Sequence, residues 1–354
     1  MKIDIYAHIC PKEFIDYFSK HVVSPEKLKE TDWPAGWSPL WDVDKRLAVM
    51  DKYEDYVQVL VPTGPAPSVF RSPKEGAELA RVFNNALAEL VSKYPKKFVG
   101  AVAYLPLNNI DATLKEIDRV IGELGFKGIC MDTPIYQLKK PDGVNYDYDY
   151  ETIKPIDLPE FMPIYESMSR HKLPIWIHPR GRGTLPVYPG EERGKYLSHW
   201  AIGWPLESAI AMYRLVFSGV LAKYPNLRFI IHHCGSGIIP ALAGRLDYPL
   251  DDNLKMVPLG KENPFQLKRP IEYFRMFYAD TALGGDVAAL MCGYTLFGAE
   301  HMLFGTDYPY DIEGGDKYIR NTINAVYRMN ISDADKERIF EGNAKQILRL
   351  NVQM

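Results

Sequence analysis

Leu173-Pro174-Ile175-Trp176-Ile177-His178 reads as a short buried strand that ends on an imidazole, and the same figure recurs along the chain. Ile3-Asp4-Ile5-Tyr6-Ala7-His8-Ile9-Cys10 stands near the start, Arg228-Phe229-Ile230-Ile231-His232-His233 follows later, and Met302-Leu303-Phe304-Gly305-Thr306-Asp307 comes last. Short apolar runs of this kind suit strands covered on both faces, as in parallel sheets. Ligand-type side chains at the carboxyl ends of parallel strands converge if the strands close into a barrel, and that is the end where such folds keep their chemistry.

Strand-like segments run over Lys2 to Tyr6, Tyr56 to Val61, Val99 to Tyr104, Gly128 to Met131, Pro174 to His178, Arg228 to His232, Phe277 to Ala279 and Met302 to Gly305. Helical periodicity covers Asp44 to Tyr53, Pro73 to Tyr94, Ile110 to Leu124, Pro159 to His171, Pro205 to Lys223, Ile238 to Leu246, Gly285 to Gly293, Gly315 to Met329 and Ser332 to Leu350. Pro73, Pro159 and Pro205 fall at first helical turns, where proline is tolerated, and Ser332 with Asp335 resembles a capped start. Strand followed by helix, repeated eight times, predicts an α/β fold, a (β/α)8 TIM barrel with long loops on its C-terminal face. One domain over residues 1–354 is expected, because barrels of this length fold as a unit.

Three stretches depart from the alternation, near 22–41, 133–156 and 180–203, and each follows a strand end. The first holds Trp33, Trp37 and Trp41; the second holds Tyr136, Tyr146, Tyr148 and Tyr150. Long loops on the active face form lids and specificity walls, and aromatic content suits an apolar or aromatic ligand. They can equally bury one another or a subunit interface.

The 354 residues are 47% hydrophobic and 25% charged with a formal net charge of -3, which gives material for a large core and no basic tract for nucleic acid or a membrane surface. Met1-Lys2-Ile3-Asp4-Ile5 has an acidic residue where a secretion signal would be apolar, so a soluble cytoplasmic protein is expected. Cys10, Cys130, Cys234 and Cys292 lie too far apart for a zinc knuckle and read as reduced thiols.

His8 and Cys10, two apart on a strand, share a face and could reach a common ion; a small packing role for Cys10 is the alternative. His178 closes a buried strand, where a backbone carbonyl can also satisfy it. Asp307 at the end of an apolar strand must have a partner or a task. His8, Cys10, His178 and Asp307 are therefore the candidate metal ligands, and their chemistry suits a divalent ion, zinc most simply, with manganese possible. His232 and His233 adjoin, so on a strand they point to opposite faces and only one enters the mouth, as a proton carrier.

Gly203 to Ala209 (GWPLESA), Phe217 to Leu227 (FSGVLAKYPNL), His233 to Gly237 (HCGSG), Leu303 to Pro309 (LFGTDYP) and Ile339 to Ala344 (IFEGNA) together resemble the amidohydrolase-related family typified by 2-amino-3-carboxymuconate-6-semialdehyde decarboxylase. The resemblance covers essentially the whole chain. It implies a metal-dependent TIM barrel with ligands at His8, His178 and Asp307 plus a second first-strand histidine, a place taken here by Cys10. It implies that His233 acts in catalysis, with His232 as its structural neighbour, and that Arg245 binds a substrate carboxylate, in some relatives across a homodimer interface. Arg180 and Arg182 are further carboxylate clamps or surface groups. The expected activity is non-oxidative decarboxylation of an aromatic or unsaturated carboxylic acid, with His233 as acid/base and Asp307 as ligand with a proton role. A metal-dependent hydrolase or hydratase, and a non-catalytic binding protein on the same fold, are the alternatives.

Overall fold

The apolar runs form strands β1 (Lys2–Ile9), β2 (Tyr56–Pro62), β3 (Phe98–Ala101), β4 (Ile129–Thr133), β5 (Ile135–Leu138), β6 (Tyr150–Lys154), β7 (Ile175–Pro179), β8 (Phe229–Ile231), β9 (Tyr278–Asp280) and β10 (Met302–Leu303). These come from a computed structural model that describes residues 1–21, 35–69, 72–138, 150–179, 195–247 and 268–351. Hydrogen-bonded neighbours run β1-β2-β3 and β10-β9-β8-β7-β4, all parallel. Isolated parallel bridges at Ala103 with Ile129 and at Ala7 with Tyr308 join the two sheets at both seams. Ile5 N donates to Phe304 O at 3.0 Å and Lys127 N to Ala101 O at 2.9 Å, so the cylinder is closed: a (β/α)8 barrel.

The interior is set by the two-residue period of each strand. Ile3, Val57, Val59, Val102, Cys130, Trp176, Ile230 and Leu303 fill it as one cluster, joined by Ile347 and Leu348 of the last helix (Asn343–Leu348). Their strand neighbours Phe229, Ile231, Ile175 and Ile177 face outward into the layer of helices. The helix Pro73–Lys93 starts on Ser72, whose side chain accepts from Glu75 N, and buries Leu79, Phe83 and Leu87 at four-residue spacing. Burying each such side chain contributes roughly 1.5–3 kcal/mol.

Two features hold β1 in place. Between Asp4 and Ala7 its register with β2 shifts, a bulge that turns Tyr6 as well as Ile5 into the interior cluster. Counting from Tyr6 rather than Ile5 brings His8 to the same face. Outside the barrel, wholly buried Arg46 donates Nε to Gln58 Oε1 at 2.7 Å and a terminal nitrogen to His8 O at 2.7 Å, and its guanidinium lies 4.7 Å above the Tyr308 ring.

The structure adds elements that the periodicity did not predict. Lys12–His21 is helical, and the stretch near 133–156 contains the antiparallel hairpin β5–β6. The stretch near 22–41 includes a short 3-10 helix at Ala35–Leu40, and that near 180–203 ends in helical turns over Lys195–Leu197 and His199–Gly203. No helix among the described residues is long and apolar enough to cross a membrane.

Candidate metal centre

Above the apolar filling, the next inward position of several strands is polar. From Trp176 the period leads to His178, from Ile230 to His232, from Tyr278 to Asp280, and from Leu303 through Gly305 to Asp307. A Cβ at Gly305 would stand 3.1 Å from both the Tyr6 and Asp280 Cβ atoms, so a larger residue at this inward position would crowd both. Two groups of donors result: His8, His178 and His232, and His232, His233 and Asp307, with the ligand atoms of each group within 4.8 Å of one another. Bonds of about 2.0–2.2 Å to a common ion would set its ligand atoms at roughly this spacing, and imidazole with carboxylate suits a borderline divalent ion. The donor set fits a metal.

Asp307 Oδ1 lies 3.0 Å from His232 Nε2 and 3.3 Å from His8 Nε2. Burial alone would raise the Asp307 pKa, but His232, the His8 contact and His233 hold it well below the usual carboxylate range. His232 is wholly buried and hydrogen-bonds Asp280 through Nδ1. Burial lowers its pKa, and Asp280 and Asp307 outweigh that, raising it to about 9 when only protein groups surround it. His233 is half-buried; its Nδ1 donates to Ala282 O at 3.0 Å, which leaves Nε2 for proton exchange. Desolvation and then the His232 charge lower its pKa.

The expectation that only one of His232 and His233 enters the mouth does not hold. β8 ends at Ile231, and His233 and Cys234 both have left-handed φ values of 60° and 54°. Alternation belongs to strands; here the chain has already turned, and the two imidazole rings lie 3.9 Å apart. The expectation that Cys10 shares the face of His8 also differs from what is found. The strand stops at Ile9, Cys10 N donates to Leu40 O, and the thiol is buried in the outer apolar cluster with Phe14, outside both donor groups. The residue two from His8 that does face the centre is Tyr6, whose ring stacks on His232 at 3.6 Å.

Arg245 is exposed on the 3-10 turn Ala243–Arg245. Arg180 and Arg182 lie outside the described residues. Aromatic side chains flank the cluster: Tyr310 is 5.3 Å from the His8 ring, Trp37 packs edge-on to Tyr310 at 4.9 Å, and Trp204 is 6.2 Å from His178. Asp280, missed in the sequence, is the last residue of β9, at the same end of its strand as His8 and His178, and so had the signal that identified them. Asp132 lies one residue before the end of β4 and pairs in register with His178.

A family model described as amidohydrolase matches residues 3–350. The chain belongs to the amidohydrolase family. Among its relatives, the 2-amino-3-carboxymuconate-6-semialdehyde decarboxylase of Dictyostelium discoideum is 26% identical over 99% of this chain and 92% of that protein. The gamma-resorcylate decarboxylase of a Polaromonas species is 30% identical over 92% and 93%. A solved 2,6-dihydroxybenzoate decarboxylase, in complex with 2,6-dihydroxybenzoate, superposes with a TM-score of 0.74 at 26% identity over 98% of each chain. The dihydroxybenzoic acid decarboxylase from Polaromonas, with bound manganese and the inhibitor 2-nitroresorcinol, matches this amidohydrolase with a TM-score of 0.74 at 25% identity over 99% and 98%.

Proposed function

We propose that this amidohydrolase is a carbon-carbon lyase that removes carbon dioxide from a planar aromatic or unsaturated carboxylic acid. The observation that carries the reading is the buried donor cluster at the barrel mouth, where His8 groups with His178 and His232 and lies 3.3 Å from Asp307, in a family whose relatives named above are decarboxylases. A divalent ion bound there would stabilise the negative charge that builds up as the carboxylate leaves. Manganese is the first choice, because the Polaromonas relative holds it, and zinc, which the same donors suit, is the second.

The chain's own groups supply the rest. Tyr310, Trp37 and Trp204 offer apolar faces to a flat ring and keep water from it. His233, oriented by the Ala282 carbonyl, carries the proton at Nε2 to the ring carbon that carbon dioxide leaves. Asp307 stays ionised as a ligand and faces the same space. Arg245, with Arg180 and Arg182, is the source of a carboxylate clamp, and Arg245 on its exposed turn would serve a neighbouring subunit in a cytoplasmic homodimer.

The test is product analysis. Manganese-loaded protein incubated with 2,6-dihydroxybenzoate and a panel of aromatic and muconate-type acids is expected to release carbon dioxide with a matching change in ultraviolet absorbance. Ring opening without gas release would replace this reading with that of a metal-dependent hydrolase.

A further inference from the structure

We infer that His232 is the fourth protein donor to the ion, supplied by β8 in place of a second histidine on β1, and that Asp280 is the positioning residue that aims it. The inference rests on the proposal that an ion binds at the mouth. Among the described residues, His232 is the member common to both donor groups. Its Nε2 is 3.0 Å from the same Asp307 oxygen that lies 3.3 Å from His8 Nε2, so the three side chains converge on one place.

Asp280 fixes which nitrogen faces that place. Its carboxylate accepts from the backbone of His233 at 3.2 Å, Cys234 at 2.9 Å and Ala282 at 3.0 Å, and from His232 Nδ1. Three backbone donors hold it in place. An acceptor on Nδ1 keeps the proton there and leaves the Nε2 lone pair for a metal, the arrangement in which ligating histidines are commonly found. Tyr6 completes the mounting: its ring lies nearly parallel to His232, 14° between planes, and its hydroxyl donates to Ile177 O at 3.0 Å.

The first strand contributes a single donor for a physical reason. Tyr6, the inward neighbour of His8, commits its hydroxyl to a carbonyl across the barrel, and Cys10 lies past the strand end among apolar side chains. β8 provides what β1 lacks.

The experiment is X-ray absorption on the wild-type protein loaded with zinc, together with manganese binding followed by electron paramagnetic resonance in His232→Ala, Asp280→Asn and Cys10→Ala. Three imidazoles and no sulfur are expected at the ion in the wild type. In folded His232→Ala the imidazole number falls to two and the manganese dissociation constant rises at least about 10-fold; Asp280→Asn weakens binding by about 10–100-fold with three imidazoles retained. Cys10→Ala leaves both readouts unchanged. Two imidazoles in the wild type, or a sulfur shell at about 2.3 Å, overturns this inference alone, and the wild-type spectrum decides even if His232→Ala fails to fold. A wild type that binds neither metal overturns the ion as well.

Discussion

The first and the sixth barrel strands, β1 and β8, both deliver imidazole to the mouth, and they do so by opposite means. β1 uses a bulge to shift its inward face by one residue, so that Tyr6 and His8 point at the centre, and then its chain leaves the barrel with Cys10 packed outside. β8 keeps its alternation through Ile230 to His232 and then turns left-handed, which brings His233 in beside it. One strand gains a ligand by an irregularity inside it, the other gains a second histidine by an irregularity after it. Inward position in this barrel therefore depends on where regular strand stops as much as on the two-residue period.

The largest effect is expected where that comparison is most direct. His8→Ala removes the sole β1 donor and should lower both bound manganese and decarboxylation by at least about 100-fold, beyond the range of an outer-shell loss; metal analysis and initial rates check it. Next is the turn after β8. Gly235 has φ of +62°, and a Cβ there would stand 2.4 Å from the Phe297 ring. Gly235→Ala should cost about 2–4 kcal/mol in urea unfolding, from left-handed strain and overpacking together.

Metal removal acts on both strands at once. Chelation of protein held at an ion concentration of about 100 times the dissociation constant should remove about 2.7 kcal/mol of stability, seen as a lower thermal midpoint that returned manganese restores. Smallest is Cys10→Ala, a truncation in the outer apolar cluster: about 1 kcal/mol of stability and a turnover rate within twofold of the wild type. A large loss of bound metal in that variant would reverse the contrast between β1 and β8.

The barrel itself was legible because each apolar run is short, bounded and followed by a helical pattern, and every barrel strand lies within a few residues of its expected place. The helix Lys12–His21 and the hairpin β5–β6 were missed because both fall beside or inside stretches whose aromatic and proline content masks their period. At the site, His8, His178, His233 and Asp307 were read from strand ends and from the resemblance. His232 was set aside although counting by twos from Ile230 places it inward, and Asp280 was passed over although it ends its strand as the others do. The bulge in β1 has no such sign, whereas Gly235 and Gly237 mark a turn after β8 without showing that it begins already at His233 and Cys234.

The central claim is that an ion held at the barrel mouth makes this amidohydrolase a decarboxylase. The most direct measurement titrates metal-free protein with manganese while following bound ion and carbon dioxide release from 2,6-dihydroxybenzoate and the acid panel in the same samples. The account predicts that gas release rises in proportion to bound manganese and levels off at one ion per chain. Equal release from metal-free protein, or full occupancy with substrate consumed and no carbon dioxide formed, would contradict it.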